Sequence, residues 1–180
     1  MHLKILVTGA FNAGKTEFIR NISEIDPVST EKRITSYNGE EKSETTAAMD
    51  FGRITIDEDL VLYLFGTPGR ERFDFMWDLL SEGILGYIIL VDSVDVESLE
   101  HTREMLEFFA PLDVPFVVAA NKQDLKGALD ALEIKKRLNL NDGVQVFPCV
   151  ALESESVKGI LLTLLYQVLE VLEEEFIQGR

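Results

Sequence analysis

The segment Gly9-Ala10-Phe11-Asn12-Ala13-Gly14-Lys15-Thr16 has the spacing G-x-x-x-x-G-K-[ST] and directly follows the apolar run Leu3 to Val7. Each constrained residue type answers a need of a polyanion. Glycines let successive backbone N–H groups turn toward phosphate, a lysine supplies a point charge for the β and γ phosphates, and a threonine hydroxyl completes part of a Mg²⁺ shell. A helical pattern, Glu17 to Ile22, comes next, so a helix N-terminus faces the same anion. The ligand is therefore a nucleoside phosphate, with Asn12, Ala13, Gly14, Lys15, Thr16 and Glu17 as candidate contacts.

The second chemical element is Asn121-Lys122-Gln123-Asp124, at the end of the apolar run Val114 to Asn121. A carboxylate at Asp124 can accept two hydrogen bonds from the N1 and exocyclic amine of guanine, which adenine does not offer. A site built for such bonds rejects the analogue lacking them by about four orders of magnitude. The run resembles the N-K-x-D element of GTP-binding proteins, and that resemblance implies that Asn121 ties the base site to the phosphate loop while the aliphatic stem of Lys122 covers the ring.

These residues must be held by a scaffold. A chain of 180 residues with 46% hydrophobic content suits one domain, residues 1–180, with one substantial core. The formal net charge of −15 argues against nucleic acid or an anionic membrane as partner. One cysteine, Cys149, excludes an internal disulfide and suits a reducing, cytoplasmic setting. There is no apolar run of transmembrane length, no signal-peptide pattern and no terminal cysteine for prenylation, so no direct membrane anchor is expected.

Six strands are expected: Leu3 to Val7, Met49 to Ile56, Leu60 to Phe65, Ile84 to Asp92, Val114 to Asn121 and Val144 to Val150. The second and third close as a hairpin at Asp57-Glu58-Asp59. Helical stretches separate the others, and Val157, Ile160, Leu161, Leu164, Leu165, Val168, Val171 and Leu172 follow the spacing of an amphipathic helix that should cover the sheet. This alternation implies a doubly wound α/β architecture that binds ligands at the carboxyl ends of its strands. The polar stretch Asp26 to Thr46 reads as a long connector with turns at Asp26-Pro27 and Asn38-Gly39, of a length that is usually functional or mobile.

With the phosphate loop and N-K-x-D in place, the chain from about Leu3 to Ile177 resembles the Ras superfamily of small GTPases, and most nearly its prokaryotic Ras-like branch. That resemblance implies a P-loop G domain, a mostly parallel six-stranded sheet with one antiparallel hairpin strand and helices on both faces. It implies GTP/GDP and Mg²⁺ as ligands and slow GTP hydrolysis, with two switch segments, 26–46 and 66–80, that exchange partners. A protein effector and a GTPase-activating partner, of roadblock fold in prokaryotic relatives, belong to the same implication. Ala151 resembles the residue whose backbone N–H meets the guanine O6. Thr46, with Thr45 as fallback, resembles the switch threonine that ligates Mg²⁺, and Gly69 the glycine whose N–H senses the γ-phosphate.

Two departures stand out. Gly66 occupies the place of the usual acidic residue of the second switch, and Asp50 on the neighbouring strand could replace it as a Mg²⁺-site carboxylate; an edge carboxylate without that role is the alternative. Arg70 stands where the family commonly has the glutamine that orients the attacking water. Arginine accepts no hydrogen bond, so Arg70 is either an internal arginine finger or the cause of slow hydrolysis. Lys15, Thr46 and Arg70 are the candidate catalytic residues. A nucleotide-stabilised scaffold with little or no hydrolysis is the competing function.

Overall fold

The computed structural model describes residues 2–27, 30–38, 41–69 and 76–178, with the backbone alone for 30–38, 41–48 and 178. Its strands are β1 (His2–Thr8), β2 (Thr30–Asn38), β3 (Glu41–Asp57), β4 (Leu60–Gly66), β5 (Gly86–Asp92), β6 (Phe116–Asn121) and β7 (Val146–Pro148). Its helices are α1 (Lys15–Ile22), α2 (Met76–Ser81), α3 (Leu99–Phe109), α4 (Ala131–Arg137) and α5 (Ser154–Gln178), with a 3₁₀ turn at Ala110–Leu112.

The sheet order is β2-β3-β4-β1-β5-β6-β7. Pairing is parallel from β4 through β7 and antiparallel for β3 with β4 and β2 with β3. Alternation along each inner strand sends side chains to two cores. Ile5, Val7, Ile88, Leu90, Val117 and Ala119 pack with Phe18 and Ile19 of α1 and Val157, Ile160 and Leu164 of α5. Leu6, Tyr87, Ile89, Val91, Val118 and Ala120 pack on the other face with Trp77, Met105, Phe109 and Ile134 from α2, α3 and α4. The six expected strands are present, and the expected hairpin closes between β3 and β4.

The polar stretch is where sequence and structure part. Residues expected to form a connector instead make β2 and the outer half of β3, a hairpin extending the sheet beyond β4. Its Asn38-Gly39 signal belongs to such a hairpin. The flanking residues lack the apolar alternation that marks a half-buried strand. Residues 39–40 lie outside the described residues.

Candidate functional site

The carboxyl ends of the parallel strands converge, as a doubly wound sheet requires of its ligand site. The phosphate loop leaves β1, residues 67–69 leave β4, Asp92 ends β5, Asn121 ends β6, and Cys149 to Ala151 follow β7. Gly14 is the turning point of the loop, with φ +103°, and an added Cβ would collide with the Asn121 Nδ2. Only glycine meets both demands. Asn12, at φ +64°, and Lys122, at φ +68°, are non-glycine residues in the same left-handed region, and both line the site.

Lys15 is buried, and its Nζ donates to the carbonyls of Gly9 at 2.7 Å and Ala10 at 2.8 Å. Burial lowers its pKa to about 8, with the Asp50 carboxylate acting in the opposite sense. The ammonium is thus curled into its own loop, an arrangement that an incoming polyphosphate can replace. Gly69 lies across the loop: a Cβ there would fall 2.5 Å from Lys15 Nζ and 2.7 Å from Phe11 Cα. Thr67 anchors this crossing strand, donating its N–H to Val7 O at 3.0 Å and sharing a buried 2.8 Å hydroxyl contact with Thr8.

Thr16 Oγ1 donates to Asp50 Oδ2 at 2.5 Å. Asp50 stands directly opposite Gly66 across the β3–β4 pair, and a Cβ at Gly66 would lie 3.1 Å from the Asp50 Cβ and 3.0 Å from Ile19 Cδ1. The Asp50 carboxylate therefore fills the space that an acidic side chain at position 66 would enter. A hydroxyl and a carboxylate are hard oxygen donors that suit Mg²⁺, which keeps waters and phosphate oxygens for its remaining positions. No group of three or more acidic, histidine or cysteine residues able to hold a metal occurs among the described residues. A Mg²⁺ site here needs the nucleotide itself.

Asn121 is the keystone between phosphate and base regions. Its Nδ2 donates to Ala13 O at 2.8 Å, and its Oδ1 accepts from the Ala151 N–H at 2.8 Å. Asn21 Nδ2 adds a bond to Ala151 O at 2.7 Å. Lys122 pairs with the buried carboxylate of Asp92 at 2.5 Å, which also accepts from the Val94 N–H. Asp124 is exposed at the mouth of a pocket of about 200 Å³ shared with Lys122, Leu125, Ala151 and Leu152. The phosphate cleft, about 490 Å³, includes Lys15, Thr16, Asp50 and Gly69. Asn12, Gly14 and Glu17 line both cavities, so the two adjoin around the start of α1.

Two expectations are placed differently. Thr46 lies four residues along β3 from Asp50, about 13 Å by strand rise, paired with Arg33 of β2, so its backbone does not share the Thr16–Asp50 contact. The reason is that β3 runs unbroken through both. The Ala151 N–H, expected to face guanine O6, is given to Asn121. Arg70 lies outside the described residues. Asp92, Thr67 and Asn21 were missed from sequence; of these only Asp92 carried a signal, a lone carboxylate closing an apolar strand at its carboxyl end.

Comparisons with known proteins agree with this geometry. Residues 25–175 match the family described as "Conserved hypothetical ATP binding protein". The chain belongs to that family. It is 30% identical over 132 residues to an uncharacterised protein of Methanocaldococcus jannaschii, covering 73% of this chain and 77% of that protein. It is 28% identical over 168 residues to ADP-ribosylation factor-like protein 3 of Saccharomyces cerevisiae, covering 87% and 81%. The Arl6 BBS3 small GTPase from Trypanosoma brucei, solved with the bound nucleotide analogue GppNp, superposes with a TM-score of 0.70 at 22% identity over 94% of this chain and 99% of that one. The chain thus has the fold of this small GTPase, an α/β sheet with helices on both faces.

Proposed function

We propose that this protein is a guanine-nucleotide switch that binds GTP and GDP with Mg²⁺ and hydrolyses GTP slowly. The observation that carries the reading is Asn121, which locks the phosphate loop to the 149–151 loop while the adjacent Asp124 opens onto the base pocket. Although the family description names ATP, a carboxylate at that mouth can accept from both the N1–H and the 2-amino group of guanine, whereas adenine has a bare acceptor at N1 and no 2-amino group. GTP should therefore bind about 10³ to 10⁴ times more tightly than ATP. Titration of fluorescent GTP and ATP analogues tests this, and equal affinities overturn the guanine reading.

In this proposal Thr16 and Asp50 hold the Mg²⁺ side of the nucleotide, Lys15 turns from its carbonyls to the phosphates, and the Gly69 N–H takes the γ-phosphate. Thr46 completes the site only after the β2–β3 ribbon rearranges. That ribbon is the moving part in this reading, since before Asp50 β3 pairs with β2 and no longer with β4. Hydrogen exchange of residues 30–49 should differ between GDP and GppNp complexes; identical protection argues for a scaffold in place of a switch.

Phe11 is 57% exposed at the cleft it lines. Its bulk favours an activating partner that repositions this chain's own residues over one that inserts an arginine. A roadblock-fold partner and membership of the prokaryotic Ras-like branch extend the proposal by resemblance. Single-turnover hydrolysis on the order of 10⁻⁴ s⁻¹ is expected. An Arg70→Gln variant that is faster makes Arg70 a brake, and a slower one makes it an internal finger.

A further inference from the structure

Helix α5 is 25 residues long, and its last buried residue is Val168. From Leu169 to Ile177 every residue is exposed, including Val171 and Leu172, whose spacing predicts the sheet-covering face, because about 13 Å of helix runs past the core that anchors it. This end is not polar. Leu162, Leu165, Leu169, Leu172 and Phe176 are spaced three, four, three and four residues apart, which confines them to a wedge of roughly 80° on one side of the helix. That is the a/d spacing of a coiled-coil seam. Leu165 sits half-buried at the margin of the core, whereas Leu162, Leu169, Leu172 and Phe176 are exposed by 52, 52, 43 and 87%. A groove lined by Leu169, Leu172, Glu173, Phe176 and Ile177 runs along the same face.

The charges beside the seam define what fits it. In the heptad set by these leucines, the flanking e and g positions of the last turns are Glu173 and Glu175, with Glu170 and Glu174 close behind, and the last turn carries no basic residue. Acidic residues at a helix C-terminus add to the negative end of its dipole. A second copy laid parallel on this seam would oppose glutamate to glutamate, on top of the repulsion between two chains of net charge −15.

We propose that the C-terminal half of α5 is a docking seam for a helix of a partner protein that carries leucine-like residues at its a and d positions and Lys or Arg at e and g. Phe176 lies about 33 Å along α5 from Ser154, which begins the helix three residues after Ala151 at the nucleotide site. Docking is therefore independent of whether GDP or GTP is bound. The seam is a constitutive attachment that puts the switch in place, distinct from the surface on which the nucleotide acts.

The test uses the full chain loaded with GDP or with GppNp and two synthetic three-heptad peptides, Leu at a and d in both, with Lys at e and g in one and Glu in the other. The basic peptide should bind 1:1, at least tenfold more tightly than the acidic one, with the same Kd in both nucleotide states. Leu169→Glu and Phe176→Glu should each weaken it tenfold or more, and Glu173→Lys with Glu175→Lys should reverse the peptide preference. Unchanged nucleotide affinity in these variants shows that the G domain remains folded. Four results would overturn the proposal: binding of the basic peptide undiminished by Leu169→Glu, which is bare charge attraction; a nucleotide-dependent Kd; sedimentation of the protein alone as a dimer that Leu169→Glu dissolves; or capture on phosphatidylcholine vesicles in place of peptide.

Discussion

Exchanging the carboxylate between Asp50 and Gly66 probes the least conventional part of the site. If Asp50 holds Mg²⁺ waters together with Thr16, Asp50→Asn keeps the shape of the side chain and removes its charge. Loss of such a supporting carboxylate typically weakens a metal site 10- to 100-fold, or about 1.4 to 2.8 kcal/mol. Gly66→Asp alone should do harm of a different kind, because the new Cβ meets the Asp50 Cβ at 3.1 Å. Two carboxylates held about 4.5 Å apart repel by roughly 4 kcal/mol at an effective dielectric constant of 20. The double variant Asp50→Gly with Gly66→Asp removes both the crowding and the second charge. Only the flexible end of Ile19, 3.0 Å from the new Cβ, has to yield. Isothermal titration of GDP across a Mg²⁺ series should show Mg²⁺-dependent affinity lost in Asp50→Asn and substantially restored in the double variant. Unchanged Mg²⁺ dependence in Asp50→Asn would refute the assignment and leave Asp50 as an edge carboxylate; loss without recovery in the double variant would refute the claim that position 66 and position 50 serve one space.

Other outcomes follow from the same contacts. Asn121→Ala strands the buried Ala13 carbonyl and Ala151 N–H, at about 1 to 3 kcal/mol each; urea unfolding should show about 2 to 5 kcal/mol of lost stability, and a loss below 1 kcal/mol contradicts the keystone role. Lys15, lowered to about pH 8 by burial, is largely neutral in the free protein at pH 9 but is kept protonated by bound polyphosphate. GDP affinity should therefore fall as pH rises past about 8, by up to tenfold per unit. Over the window from about 8 to the ordinary lysine value of 10.5 the unfolded chain holds more protons than the native one. The cost of burying the charged lysine, fully present below pH 8, is thus relieved there and the free protein gains stability; a flat affinity profile from pH 7 to 9.5 contradicts this. Asp92→Asn, which leaves the Lys122 ammonium without its charged partner, should cost about 1 to 3 kcal/mol of stability and speed GDP release, measured by stopped-flow displacement.

Local chemistry was legible in the chain because it is written in consecutive residues. Gly9 to Thr16 and Asn121 to Asp124 each sit at the carboxyl end of an apolar strand, and both the strands and the ends they present were readable from periodicity. What no one-dimensional pattern could give is the set of contacts between distant segments. The Asp92–Lys122 pair and the Asn21–Ala151 bond join residues 30 and 130 positions apart, and only sheet order makes them neighbours. The ribbon of β2 and the outer half of β3 was hidden for another reason: its sequence carries no apolar alternation, and its pairing is made through the backbone. The sequence by itself determined the phosphate loop, the Asn121 to Asp124 element and the α/β class, since each depends on spacing along one element, whereas the end of the core decided which apolar residues of α5 stay exposed. The tertiary structure alone decided that Asp50 faces Gly66, that Thr46 stands about 13 Å away along the same strand, and that the Ala151 N–H is given to Asn121, because cross-strand register and loop packing are set by the whole fold.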